Sequence, residues 1–99
     1  MGFRILFAPG FFEDLQQAVD WYNDKQAGLG ARFFKASKVR ISGIKNNPYS
    51  VAVRYDNVRC AKLKKFPYMI HFRIQENNVI EVTAIFNTHR NPNIWASRI

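Results

Sequence analysis

The residues best suited to chemistry crowd into one stretch, NTHRNPNIW, at positions 87–95. His89 titrates near neutral pH and can act as acid or base, and the guanidinium of Arg90 suits phosphate or carboxylate. Asn87 and Thr88 add hydrogen-bonding groups, and Asn91-Pro92 turns the chain so that Trp95 can pack back. A second group of cations lies in KLKKFPYMIHFRI at 62–74, where Lys62, Lys64, His71 and Arg73 alternate with apolar residues. Each also has a plainer structural reading. His89 and Arg90 can cap a sheet edge, Trp95 can close the core, and His71 can be a polar residue on a solvated strand face. The sequence carries no glycine-rich phosphate loop, paired catalytic carboxylates or metal-ligand spacing, so neither a metal nor a cofactor is expected. The single cysteine, Cys60, and the serines lack a nucleophile signature and are read as bystanders.

The elements that must position these groups follow from hydrophobic period. Residues 3–7 alternate as a strand, which Pro9-Gly10 ends. Phe12, Leu15, Val19 and Tyr22 recur at three- and four-residue steps, predicting a helix over 11–26 with Glu13 and Asp14 in its first turn. Gly28 and Gly30 break it. A second helix is predicted over 29–45, with Phe33 or Phe34, Ser37, Ile41 and Ile44 on one face, before Asn46-Asn47-Pro48 stops it. So short a break implies an antiparallel helix hairpin. Three strands follow at 58–65, 68–75 and 79–88, the last two joined by a turn at 76–78, while 49–56 is left as either a short strand or an ordered loop. The predicted class is α+β, a strand and a two-helix hairpin followed by a three-stranded antiparallel sheet packed on the helices, in one domain over 1–99.

Period-two parity divides that sheet into faces. Ala61, Leu63, Tyr68, Ile70, Phe72, Ile74, Ile80, Val82, Ala84 and Phe86 fall on the face the helices bury. Cys60, Lys62, Lys64, Met69, His71, Arg73, Glu81, Thr83 and Asn87 fall on the other, which is expected to be a basic, concave surface open to a partner.

Charge agrees with a partner of opposite sign. The net charge is +8 over 99 residues, but it is uneven. Residues 1–29 set Arg4 and Lys25 against four carboxylates and net −2, residues 30–65 set ten cations against Asp56 alone and net +9, and residues 66–99 net +1. A field of this kind favours encounter with a polyanion or an acidic protein. A solvated basic face that merely keeps the chain soluble is the alternative. The apolar runs are far short of the roughly 18–20 residues a spanning helix needs, and no membrane association is expected. The opening MGFRILFAPGFF lacks a secretion signal, and Leu6 stands where myristoylation asks for Ser or Thr. With one cysteine, a reducing, cytoplasmic location is expected.

The helix pattern DLQQAVDWY, the junction RCAKLKKFPYMIHFRI and the ending VIEVTAIFNTHRNPNIW resemble the RelE/ParE superfamily of bacterial type II toxins over nearly the whole chain. The resemblance implies the layout just described and a cognate acidic antitoxin that wraps the toxin and assembles with it. It also implies one of two activities. RelE-like members cut messenger RNA in the ribosome with basic residues on the open sheet face, an Arg near the end of the last strand and often a C-terminal Tyr. ParE-like members block DNA gyrase. Lys62 and Lys64 match the basic face, but Met69 follows Tyr68 where the ribonucleases tend to place Arg, His89 stands near the other expected Arg, and Trp95 near the expected Tyr. The FPY phrase with Arg90, Pro92 and Trp95 is closer to the ParE-like branch, although Asn87 stands where that branch commonly has His. The expectation is therefore inhibition by binding a target such as gyrase, with Lys62, Lys64, His71, Arg73, Asn87 and Trp95 as binding residues. Two alternatives are carried. One is a metal-independent, ribosome-dependent endoribonuclease in which His89, Arg90 and Lys62 or Lys64 serve a 2′-hydroxyl attack. The other is a non-toxic relative that only binds its antitoxin.

Overall fold

A computed structural model describes residues 2–89. It contains β1 (Arg4–Phe7), α1 (Pro9–Lys25), α2 (Leu29–Asn46), β2 (Val53–Tyr55), β3 (Val58–Lys62), β4 (Tyr68–Gln75) and β5 (Val79–Asn87), with short 3-10 turns at Pro48–Ser50 and Glu76–Asn78. The α+β class and the order of strand, helix pair and strands agree with the sequence. The sheet is larger than expected, with five strands in the order β1-β5-β4-β3-β2 instead of three. β1 joins it in parallel beside β5, and β2 settles the undecided segment as a short edge strand antiparallel to β3.

Pro9 opens α1, where its fixed φ suits the first helical turn and its missing N–H costs nothing. Because the helix starts two residues earlier than its apolar period suggests, Glu13 and Asp14 lie beyond its first turn. The buried stripe is Phe11, Ala18 and Tyr22, with Leu15 and Val19 partly covered. Phe12, expected in that stripe, is 56% exposed. Two glycines then set the helix hairpin. Gly28 takes a φ of 87°, a left-handed conformation that side chains disfavour, and reverses the chain. Gly30 lets α2 approach α1 so closely that a Cβ there would lie 2.5 Å from the Val19 carbonyl oxygen. The Gly30 N–H donates to Asn23 Oδ1 at 2.8 Å and pins the two helices. On α2, Phe33, Ser37 and Ile44 are buried, and the Ser37 hydroxyl is satisfied by the Phe33 carbonyl at 3.0 Å.

Beneath the hairpin, Ala61, Leu63, Ile70, Phe72, Ile80, Val82 and Ile85 complete the main core. Strict parity fails within β5. His71 pairs with Ala84 but Phe72 pairs with Val82, so Thr83 is an extra residue, a β-bulge. One unpaired residue reverses every later side chain. Ala84 and Phe86, assigned by parity to the helix face, lie instead on the opposite face with Met69, and Ile85 takes the helix face. The Thr83 hydroxyl donates to the His71 carbonyl at 3.3 Å and ties the bulge down. The expected open face is thus a second, smaller core at its centre, where Met69, Ala84 and Phe86 are buried against Tyr55 and Cys60. No helix among the described residues is long and apolar enough to cross a membrane.

Candidate functional site

α2 buries one flank and offers another. Arg32, Lys35, Ala36, Val39, Arg40 and Gly43 recur at the i, i+3, i+4 spacing of a single helical face, and that face forms one wall of a groove of about 1140 Å³. The opposite wall is the segment after β3, with Lys62, Lys64, Lys65, Phe66 and Pro67. Lys65 adopts a φ of 68°, which swings this segment back toward β4, and the Leu63 N–H bonds the Tyr68 carbonyl at 3.0 Å to close the loop. The walls are fastened together. Arg40 Nε donates to the Lys62 carbonyl at 3.0 Å, and Phe66 packs edge-on against Tyr22 and Phe33, with ring centroids 5.0 and 5.2 Å away.

The groove combines an apolar floor with a cationic rim. Tyr22, Leu29, Val39, Phe66 and Pro67 supply carbon, while Arg32, Lys35, Arg40, Lys64 and Lys65 supply positive charge. Among the described residues no carboxylate lines it. Such a surface suits an extended or helical segment with one apolar face and acidic flanks, because apolar burial gives affinity and charge gives encounter rate and register. The sequence reading found Lys62 and Lys64 but placed them on the sheet face. Lys62 does pair with Met69 on the second sheet face and meets the groove through its carbonyl, whereas Lys64, beyond the end of β3, lies in the loop and borders the helix-side groove. It missed Arg32, Lys35, Arg40 and Lys65 as members of the same site, although the +9 net charge of residues 30–65 and the helical spacing both pointed to them.

The other predicted residues are dispersed. His71 was expected on an open face, and this is corrected: it is fully buried (0% exposed), because the bulge turns Phe86 and Ala84 over it. Its Nδ1 lies 2.8 Å from the Tyr55 hydroxyl and 3.5 Å from Cys60 Sγ, and its ring packs edge-on against Phe86. Burial pushes the Tyr55 phenol up to about 12, with Cys60 adding to the shift. Burial likewise pushes the Cys60 thiol up to about 11, partly opposed by Arg54. Both groups are held neutral at physiological pH, and Cys60 is no activated nucleophile. Arg73 is half-buried, also against expectation, and sits opposite Glu81 in the β4–β5 ladder.

At the end of β5, Asn87 and His89 do come together. The His89 N–H donates to Asn87 Oδ1 at 2.8 Å, an Asx-type turn, and His89 itself is exposed. Asn87 also borders a smaller cavity of about 350 Å³, with Asp14, Trp21, Tyr68 and Phe86. Arg90 and Trp95, assigned catalytic and binding roles from sequence, lie outside the described residues. The structure therefore brings Asn87 to His89, keeps Lys62 on the sheet face that buries His71, and places Lys64 on the groove.

A family model described as ParE toxin of type II toxin-antitoxin system, parDE, matches residues 5–92. Among solved structures, the fold is similar to a chain from a structure titled "Chromosomal ParDE TA system from P. aeruginosa", with a TM-score of 0.76. The two chains share 16% sequence identity, and the superposition covers 86% of this chain and 95% of the other. No individual curated protein matches the sequence.

Proposed function

Because the chain belongs to the ParE toxin family of type II toxin-antitoxin systems, we propose that it inhibits growth by binding an essential target such as DNA gyrase, and that an acidic antitoxin silences it from the basic groove. The observation that carries the antitoxin half is the groove's chemistry: five cations around an apolar floor, with no carboxylate in the described lining. An amphipathic acidic segment satisfies both parts at once. It buries Val39, Phe66 and their neighbours while its carboxylates meet the rim.

Two features support binding over RNA hydrolysis. The centre of the sheet face on which a RelE-like site would be built is filled by Met69, Ala84, Phe86 and the buried His71, so the described cations on that face, Arg54, Lys62 and Arg73, surround an apolar patch. The ionisable groups within that face, Tyr55 and Cys60, are pushed away from neutrality instead of toward it, opposite to the tuning that acid-base catalysis requires. Among the described residues, the exposed His89 and the cations Arg54, Lys62 and Arg73 around that face favour the endoribonuclease alternative.

The deciding experiment expresses the chain without an antitoxin and measures gyrase supercoiling and cleavage of ribosome-bound messenger RNA side by side, with His89→Gln as the variant. A supercoiling block that His89→Gln leaves intact is the expected result. Cleavage of messenger RNA that the variant slows by about 10²-fold or more, the usual worth of a general acid or base, would establish the enzyme instead.

A further inference from the structure

The sheet has two edges among the described residues, and they are defended differently. β2 is only three residues long, carries Arg54 at its centre, and has an irregular register against β3. Short length, charge and irregularity are the usual protections of an edge. β1 is regular in its four paired positions and ends in Leu6 and Phe7, which are 49% and 38% exposed. The Phe7 ring packs on Phe11 and Phe12 at 5.1 and 5.2 Å, so its open side is continuous with the exposed Phe12.

The backbone of β1 is directional. The Ala8 N–H donates to the Val82 carbonyl at 2.9 Å, and alternate residues of a strand aim their peptide groups at the same neighbour. Arg4, Leu6 and Ala8 therefore face β5, and the N–H and C=O groups of Ile5 and Phe7 point out from the sheet edge. We propose that this edge pairs antiparallel with β1 of a second copy of the chain, about a two-fold axis at Leu6.

That register is self-complementary. Ile5 of each copy faces Phe7 of the other, and the two pairs exchange four main-chain hydrogen bonds. Leu6 meets its own symmetry mate, and the one charge on the strand, Arg4, falls opposite Ala8, so the two arginines stay apart. Charge also favours this approach over others. The paired residues Arg4 to Ala8 carry one cation per copy and include none of the ten in residues 30–65, so the contact itself sets few like charges against one another. The contact is small, at the low end of protein interfaces, and the dimer should depend on concentration.

Sedimentation of the purified full chain tests this, together with disulfide trapping in a Cys60→Ser background. In the proposed register the two Leu6 Cα atoms are about 4.5 Å apart, within the range that a disulfide spans. Arg4 and its mate are roughly 13 Å apart along the strands, which is out of reach. Mild oxidation should thus convert Leu6→Cys to a species of twice 11.6 kDa and leave Arg4→Cys monomeric. Leu6→Lys, at a half-exposed position that should not disturb the melting temperature, should abolish the dimer by opposing two like charges. A chain that stays monomeric at high concentration would overturn the proposal, as would a dimer indifferent to Leu6→Lys or equal trapping through Arg4→Cys. Trapping of Leu6→Cys by an added antitoxin and never by itself would assign the edge to that partner and equally overturn it.

Discussion

Gly30→Ala and Gly43→Ala are the same substitution in the same helix, and the structure predicts opposite signs for them. Alanine in place of glycine favours a helix by about 0.5–1 kcal/mol, and this term acts at both sites. At Gly43 nothing opposes it, since the nearest atom to a new Cβ is Arg40 Nη1 at 3.6 Å, an ordinary contact with a movable side chain. At Gly30 the new carbon lies 2.5 Å from the Val19 carbonyl oxygen and 2.6 Å from Cγ and Nδ2 of Asn23. The carbonyl is α1 backbone and cannot rotate away. Asn23 can move only by releasing its hydrogen bond from the Gly30 N–H. Forcing the helices apart is overpacking, worth about 1–3 kcal/mol, and the lost hydrogen bond adds about 0.5–1.5 kcal/mol. Taken at mid-range, these terms leave a net destabilisation of about 2 kcal/mol after the helix term is returned. In a domain of this size each kcal/mol moves the midpoint by about 4–8 °C. Thermal unfolding by circular dichroism should therefore show Gly30→Ala melting about 5–20 °C lower and Gly43→Ala melting a few degrees higher. Two shifts of the same sign would refute the close helix crossing on which the groove is built.

The buried face of the sheet makes a chemical prediction. Raising the Cys60 thiol from 9.0 to about 11 cuts its thiolate at pH 8 roughly 100-fold, and greater intrinsic nucleophilicity returns about tenfold, so disulfide exchange should be about tenfold slower than in the unfolded chain. Since Cys60 and Tyr55 both titrate higher folded than unfolded, the stability they confer is full below about pH 9 and is lost as pH rises toward about 11 and 12; a Cys60→Ser, Tyr55→Phe double variant should lose less stability over that window in alkaline melts. Phe72→Asp places an unpaired carboxylate at a fully buried site and should abolish cooperative unfolding at ordinary temperature, and an unchanged melt would contradict its place in the core. Lys35→Glu with Lys64→Glu should slow antitoxin association about tenfold or more at low salt and flatten its salt dependence, whereas an unchanged association rate would remove the groove from the encounter path.

Much of the architecture was legible because it rests on local rules. The glycines at 28 and 30, the apolar period of α2 and the alternation of β4 each have a short-range cause, and the helix hairpin over the Ile70–Phe72 face follows from them. The phase of α1 was misread because three phenylalanines, at 7, 11 and 12, compete for the same stripe, and only the path of β1 decides that Phe11 goes in. Placing β1 beside β5 was not legible either, since a parallel pairing across some seventy residues leaves no turn signal between the partners.

The bulge at Thr83 had the widest consequences for the site. A period-two argument assumes that every residue of a strand is paired, and a single unpaired residue inverts all that follows it. VIEVTAIFN gives no glycine or proline to mark the interruption. What it does contain is four apolar residues in the five positions 82–86, too many for a strand with one wet face. That excess was a sign that both faces of β5 are covered. Once they are, His71 and Met69 cannot lie on an open surface, and the centre of that face is apolar with its cations around it. A second concentration of cations lies on the helix side, with Arg32, Lys35 and Arg40 on the helical period of α2 and Lys64 and Lys65 in the loop after β3. The bulge thus gives the sheet's second face an apolar core at its centre, and the proposed antitoxin groove lies on the helix side, where α2 and the loop after β3 set their cations around an apolar floor.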